Sequence, residues 1–213
     1  MKTKIIKTKG DWNEVVNDCR FTVNKKDLSK EPSEKFKKKI LIAEHSPIRD
    51  IYIKWRWLGI PHWVVVHWVR HKWEKFVATQ RTDRTGIDRH TLSQDCPSDM
   101  TGEANVQHLI DTDRKRLCFQ ASKETRELAE DQKVTIKNEV DTYIADVLVP
   151  NCIYRGGCPE YDGSEEYRCR FFENFSKRNG TFTNIQDRYD AYNKEFYKNH
   201  KYENVEEKPK KDC

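Results

Sequence analysis

Residues 49–76 read RDIYIKWRWLGIPHWVVVHWVRHKWEKF. Ile51, Ile53, Trp55 and Trp57 alternate with Tyr52, Lys54 and Arg56, a period of two that predicts a strand over 49–57 with one buried face. Gly59-Ile60-Pro61 predicts the turn out of it, and proline is tolerated in a first helical turn because its missing N–H is not needed there. From Pro61 to Phe76 the period changes. Val65, Val69, Lys72 and Phe76 fall on one stripe, with Trp68 and Trp73 beside it. His67, Arg70, His71 and Glu74 fall at i, i+3, i+4 and i+7, a second face of the same helix. The stretch therefore predicts a strand followed by a helix that is apolar on one side and ionisable on the other.

Upstream, Ile5-Ile6 and Cys19-Arg20-Phe21-Thr22-Val23 predict short strands. Phe36, Ile40, Leu41 and Ala43 predict a helix over 33–43, broken by His45-Ser46-Pro47. Downstream, Gly86, Pro97 and Gly102 predict a loop over 86–103. A long helix is expected from Ala104 to Glu130, in which Asn105, Thr112, Arg116, Gln120 and Lys123 follow one line. Another is expected from Lys133 to Val149, stopped by Pro150. After the turn-rich segment 151–160 come two short helices, over 166–175 and 185–197, and a frayed tail over 207–213.

The 213 residues suffice for a real core, and six Trp, nine Tyr and nine Phe exclude a chain that never packs. A net charge of +5 permits nucleic-acid binding but does not require it, so a nucleic-acid partner is not expected. No apolar run is long enough to span a bilayer, no membrane partner is expected, and the N-terminus has no signal-peptide core. Seven cysteines without a secretory signal read as reduced thiols, so the expected location is cytoplasmic. Cys152 and Cys158 are spaced more widely than in a structural zinc knuckle; with Cys169 and a fourth ligand they still admit a site, but no metal is assigned.

Three readings stand for the His67/Arg70/His71/Glu74 face: anion binding by arginine forks, a solvated helix surface, or a metal held by the two histidines. The zincin arrangement is absent, because Trp68 stands where a glutamate is required. Arg81 and Arg84 beside Thr79 and Thr82 suit phosphate oxygens. No dinucleotide glycine loop and no nucleophile elbow occur.

His67-x-x-Arg70-His71-Lys72 followed by Thr79-Gln80-Arg81 resembles the signature of flavin-dependent thymidylate synthases. Glu44-His45 before a strand, Asn105 opening a helix, Arg116 further along it, Arg126-Glu127 and Val149-Pro150 resemble other parts of that family, in its order. The resemblance covers 40–150. It implies an α+β fold, an antiparallel sheet packed with long helices in one synthase-like domain over 1–165, followed by a polar helical extension over 166–213. It implies a homotetramer with FAD at subunit interfaces, methylating the pyrimidine nucleotide dUMP to dTMP with methylenetetrahydrofolate as carbon source and NADPH as reductant. Flavin contacts would then come from His45, Arg70, His71, Lys72 and Asn105. The nucleotide would meet His67, Gln80, Arg81, Arg84 and Arg116, and the reacting centre Arg116 and Thr79. The sequence departs from the family at Lys72 in place of an arginine, at Thr79 or Gln80 in place of a serine, and at Asp111 and Gln120 in place of an asparagine and a histidine. The segment between Arg81 and Asn105 is also shorter. Three further readings stand beside this one: a divergent flavin-dependent enzyme acting on another pyrimidine nucleotide, a non-catalytic nucleotide- or nucleic-acid-binding protein without flavin chemistry, and a structural or regulatory protein.

Overall fold

The computed structural model describes residues 1–164, 166 and 169–203. Its centre is a four-stranded antiparallel sheet in the order β1-β2-β4-β3, made of β1 (Lys2–Lys9), β2 (Tyr52–Pro61), β3 (Glu74–Val77) and β4 (Pro97–Asn105). The helices are α1 (Trp12–Phe21), α2 (Glu34–Ile42), α3 (His62–Trp68), the single turn α4 (Thr82–Thr85), α5 (Val106–Arg116), α6 (Lys123–Glu139), α7 (Thr142–Val147), α8 (Asn151–Arg155), α9 (Phe171–Asn179) and α10 (Ile185–Asn199). This is the α+β architecture expected, a sheet packed against helices.

The alternation in β2 does what its sequence requires. Ile53, Trp55 and Trp57 are buried on one face while Tyr52 and Arg56 are exposed. The strand runs on through Gly59 and Ile60 to Pro61, where Pro61 pairs with Pro97, so the predicted turn is strand. The predicted helix over 61–76 ends at Trp68, and the chain turns and returns as β3. The reason is the tryptophans. The Trp68 ring lies 4.6 Å from that of Trp57, and Trp73 lies 5.0 Å from Trp55. On a continuous helix those two side chains would diverge by about 140°. The turn brings both onto the buried face of β2.

The predicted loop over 86–103 contains β4. Ser98, Met100, Gly102 and Ala104 are its inward residues, an alternation hidden because three of the four are small. They are small because the tryptophan rings take the space: a Cβ on Gly102 would sit 2.4 Å from Trp55 and 2.7 Å from Trp73.

The helix starts are capped by side chains. Asp11, Ser33, Asn105, Asp141 and Asn184 each accept a backbone N–H from the first turn of the helix that follows. Cys19 and Phe21, expected in a strand, belong to α1, where Asp11 caps and Trp12, Val15 and Val16 bury one side. The long helix predicted over 104–130 is two, broken at residues 117–122. The helix predicted over 133–149 divides at Asp141, whose carboxylate caps α7 and accepts Trp12 Nε1 at 2.8 Å. Thr3 N–H likewise donates to the Asp131 carboxylate at 2.5 Å, docking β1 beside α6.

The core is continuous from Trp12 in α1 to Phe196 in α10 and includes Phe175, Tyr189 and Tyr192 from the C-terminal helices. Lys133 in α6 is fully buried there. Its ammonium donates to the carbonyls of Ala145 and Leu148 at 2.7 and 2.8 Å and to Asn193 Oδ1 at 2.7 Å, joining α6, α7 and α10. Burial pulls the Lys133 pKa down to about 7 and pushes the buried Asp113 carboxyl up to about 8. Of the predicted C-terminal helices, α10 lies where expected, and α9 begins at Phe171. The expected tail over 207–213 lies outside the described residues.

Candidate functional site

The break between α5 and α6 creates the arrangement of most chemical interest. Arg116, the last residue of α5, reaches across to the end of α3 and the turn after it. Its Nε donates to His71 Nε2 at 2.7 Å, and an Nη donates to the His67 carbonyl at 2.6 Å. His67 Nδ1 lies 2.9 Å from Thr125 Oγ1, and Ser122 Oγ donates to the same hydroxyl at 2.8 Å. The Thr125 hydroxyl, itself held by Ser122, therefore holds one imidazole, and an arginine from the end of α5 holds the other. The guanidinium also lies 5.9 Å from the Trp68 ring.

The electrostatics are one-sided. Burial, then Arg116, Lys115 and Lys75, push His71 down to about 4, so at neutral pH its Nε2 is free of a proton and accepts from Arg116. His67 is lowered by burial and by Arg116 and Arg70. Arg116 itself is lowered by burial and by Arg70. Every charge bearing on these three groups is positive, which is the setting for a bound anion.

The structure separates the remaining predicted residues. Arg70 and Lys72 are exposed on the turn between α3 and β3, with His71 half-buried between them. The four residues predicted to share a helical face do not, since Arg70 and His71 lie past the helix end and Glu74 opens β3. Asn105 is buried at the opposite end of α5, about 16 Å along the axis from Arg116, and its side chain caps the helix by accepting His108 N–H. His45 is exposed at the start of the turn Ser46–Asp50. Thr79 is exposed and accepts Arg81 N–H, and Gln80 is half-buried beside it. Arg81 makes a two-bond contact with Asp83 at 3.0 and 2.7 Å, and Arg84 also lies near that carboxylate at 3.8 Å. Gln120, aligned with Arg116 on a continuous helix, falls in the break.

Sequence reasoning passed over Arg114. It pairs with Glu44, whose backbone takes the left-handed conformation at φ 51°, and it stacks 3.6 Å from the Tyr154 ring. Glu44 also accepts from Gln107 at 2.8 Å. The signal was a lone acid before His45, which has no local partner in sequence.

A cavity of about 310 Å³ lies beside Arg116, and a second of about 660 Å³ lies between α2 and α10. Arg70, His71, Lys72 and Asn105 line neither. Among the described residues no three or more His, Cys, Asp or Glu side chains are arranged to hold a metal ion, and no helix is long and apolar enough to cross a membrane.

Many solved structures share this fold, among them two pyrimidine-nucleotide enzymes. One is the UMP/dUMP methylase PolB from Streptomyces cacaoi, bound with 5-Br dUMP. It aligns with TM-score 0.55 at 13% identity, over 68% of this chain and 93% of that one. The other is the flavin-dependent thymidylate synthase ThyX from Helicobacter pylori, complexed with FAD and dUMP. It aligns with TM-score 0.57 at 13% identity, over 69% of this chain and 99% of that one. No family model matches the sequence, and no curated protein matches it.

Proposed function

We propose that the chain is a flavin-dependent pyrimidine-nucleotide methylase that converts dUMP to dTMP with methylenetetrahydrofolate and NADPH, working in the cytoplasm as a homotetramer. The observation that carries this reading is the Arg116–His71–His67 cluster, because it gathers residues that the family resemblance assigns to nucleotide and flavin within a fold shared with two pyrimidine-nucleotide methylases. The donor set fits anionic, phosphate-bearing ligands. Arg116 and Arg70 offer guanidinium forks, His67 and His71 offer ring nitrogens, and the charges that bear on them among the described residues are those of Arg70, Lys75, Lys115 and Arg116.

In this reading Arg116 binds the nucleotide's phosphate or base edge, oriented by the neutral His71 and the His67 carbonyl. Thr79 lies at the reacting pyrimidine, with Gln80, Arg81 and Arg84 along the nucleotide. His45, Arg70, Lys72 and Asn105 serve the flavin. Bound flavin supplies the hydride chemistry, so no protein nucleophile is required. His45, Arg70 and Lys72 are exposed on a single chain, which suits a flavin enclosed between subunits.

The deciding measurement is the absorbance spectrum of the purified full-length protein before and after dUMP. It should show a bound flavin whose band shifts on nucleotide binding, and 5-tritiated dUMP should release its label. A colourless protein that takes up no added FAD overturns the proposal. A parallel assay with UMP is favoured by the likeness to a UMP/dUMP methylase and identifies which sugar is accepted.

A further inference from the structure

Four of the seven cysteines line one cavity. Cys118 follows the end of α5, Cys152 lies in α8, and Cys158 and Cys169 belong to the irregular segment between α8 and α9. They share the cavity of about 310 Å³ that has Arg114, Lys115 and Arg116 in its wall. We propose that this cavity is a tetrathiolate zinc site, in which Cys118, Cys152, Cys158 and Cys169 close around one divalent ion and fasten the α8–α9 segment to the body of the protein.

The segment itself supplies the first argument. Between Pro159 and Arg170 every described residue is exposed except Ser164 and Cys169, and none of the described residues is in a helix or strand. Its sequence before Cys169, with four acidic residues in ten, has little aliphatic surface to bury. Long connections in a compact domain are uncommon unless they are functional or disordered. Cys158 and Cys169 are the half-buried points at its two ends.

The second argument is charge. Four thiolates around Zn²⁺ carry a net charge of about −2, which needs cationic neighbours in a partly buried place. Arg114, Lys115 and Arg116 stand in the wall. The thiols also lie close enough to affect one another. Ionising Cys118 is opposed first by burial and then by neighbours that include Cys169 and Cys158. Cys152 is pushed up to about 12 by burial, then by Cys118, Cys158 and Cys169. Zinc binds thiolates, so each cysteine that arrives protonated releases its proton to solvent as its Zn–S bond forms.

As they stand the sulfurs share the cavity without forming a ligand shell. Two of the four ride on the segment, whose movement toward Cys118 and Cys152 would complete the tetrahedron. This inference does not rest on flavin or nucleotide binding.

The test uses the full-length protein, prepared under reducing conditions. Metal analysis should find about one zinc per chain, and Co²⁺ exchanged into the site should give the intense visible bands of tetrahedral thiolate coordination together with thiolate-to-metal charge transfer. C158S and C169S, at half-buried positions outside the helices and strands, should each weaken Zn²⁺ binding at least about tenfold. Chelation should lower the melting temperature of the wild type and leave that of C158S unmoved. Three results overturn the proposal: folded protein that takes up neither ion, cobalt spectra unchanged in C158S and C169S, or native mass spectra showing two of these cysteines joined as a disulfide.

Discussion

Arg114 and Arg116 sit two positions apart on α5, carry the same side chain and point to different work. Arg116 engages His71 and the His67 carbonyl, whereas Arg114 engages Glu44 and stacks on Tyr154. R116A should therefore weaken dUMP binding, by roughly 2–5 kcal/mol if the contact is charge-assisted and shielded. R114A should leave dUMP affinity near that of the wild type but lower stability by about 2 kcal/mol, because Glu44 is stranded. Calorimetric titration with dUMP and thermal melts of both variants separate the two roles; a larger affinity loss in R114A would place the nucleotide on the other face. His71 adds a pH signature. Its folded pKa, about 4, lies below its unfolded value of 6.5. The unfolded chain therefore binds more protons between those values, and stability should fall as pH drops from 6.5 through 4 and be fully present above 6.5. With His71 only partly buried, the effect is about 1 kcal/mol after solvent screening. Urea midpoints across that range should show the slope in the wild type and a flatter profile in H71Q.

At the scale of elements, the sequence was legible where one side-chain type marked one face. The Ile-Ile-Trp-Trp alternation of β2 and the Phe36–Ile40–Leu41 spacing of α2 were read from residue type alone. Legibility failed where a rule needed the partner across space. The inward face of β4 is Ser98, Met100, Gly102 and Ala104, and nothing local says that small residues there complement tryptophan rings on β2 and beside β3. For the same reason Val69–Lys72 looked helical: helical spacing was satisfied, and only the shared Trp55–Trp57 surface demands a turn. The split at 117–122 contains neither glycine nor proline, so no local breaker announced it. The clearest consequence concerns Gly102. G102A should destabilise the protein by about 1–3 kcal/mol through overpacking, since the new methyl meets two indoles at once. Chemical denaturation measures it, and near-ultraviolet circular dichroism should change as the rings shift. Wild-type stability in G102A would mean that the tryptophan stack has room to move.

For the whole molecule, the sheet-and-helix class was readable, but the joining of the C-terminal helices to the core was not. Their sequence reads as a polar helical extension, and Phe175, Tyr189, Tyr192 and Phe196 in it belong to the same buried cluster as the sheet. The link is a lysine, which no hydrophobic pattern would pick out. K133M removes a buried ammonium that donates to the Leu148 carbonyl, the Asn193 amide oxygen and the Ala145 carbonyl, of which Ala145 keeps the Leu148 N–H. A loss of roughly 2–4 kcal/mol is expected, read by urea unfolding, with earlier proteolytic cleavage around α10. Equal resistance in K133M and wild type would show that the aromatic packing alone seats the helix. The docking of β1 has a different consequence, one of timing. The Thr3 N–H and the Trp12 indole donate to carboxylates 128 and 129 positions further along the chain, at Asp131 and Asp141. A nascent chain leaves the ribosome N-terminus first, so the opening strand and α1 emerge long before their anchors exist. Pulling force on the growing chain should accordingly appear late, once α6 and α7 have cleared the exit tunnel, and until then the first segment is work for chaperones.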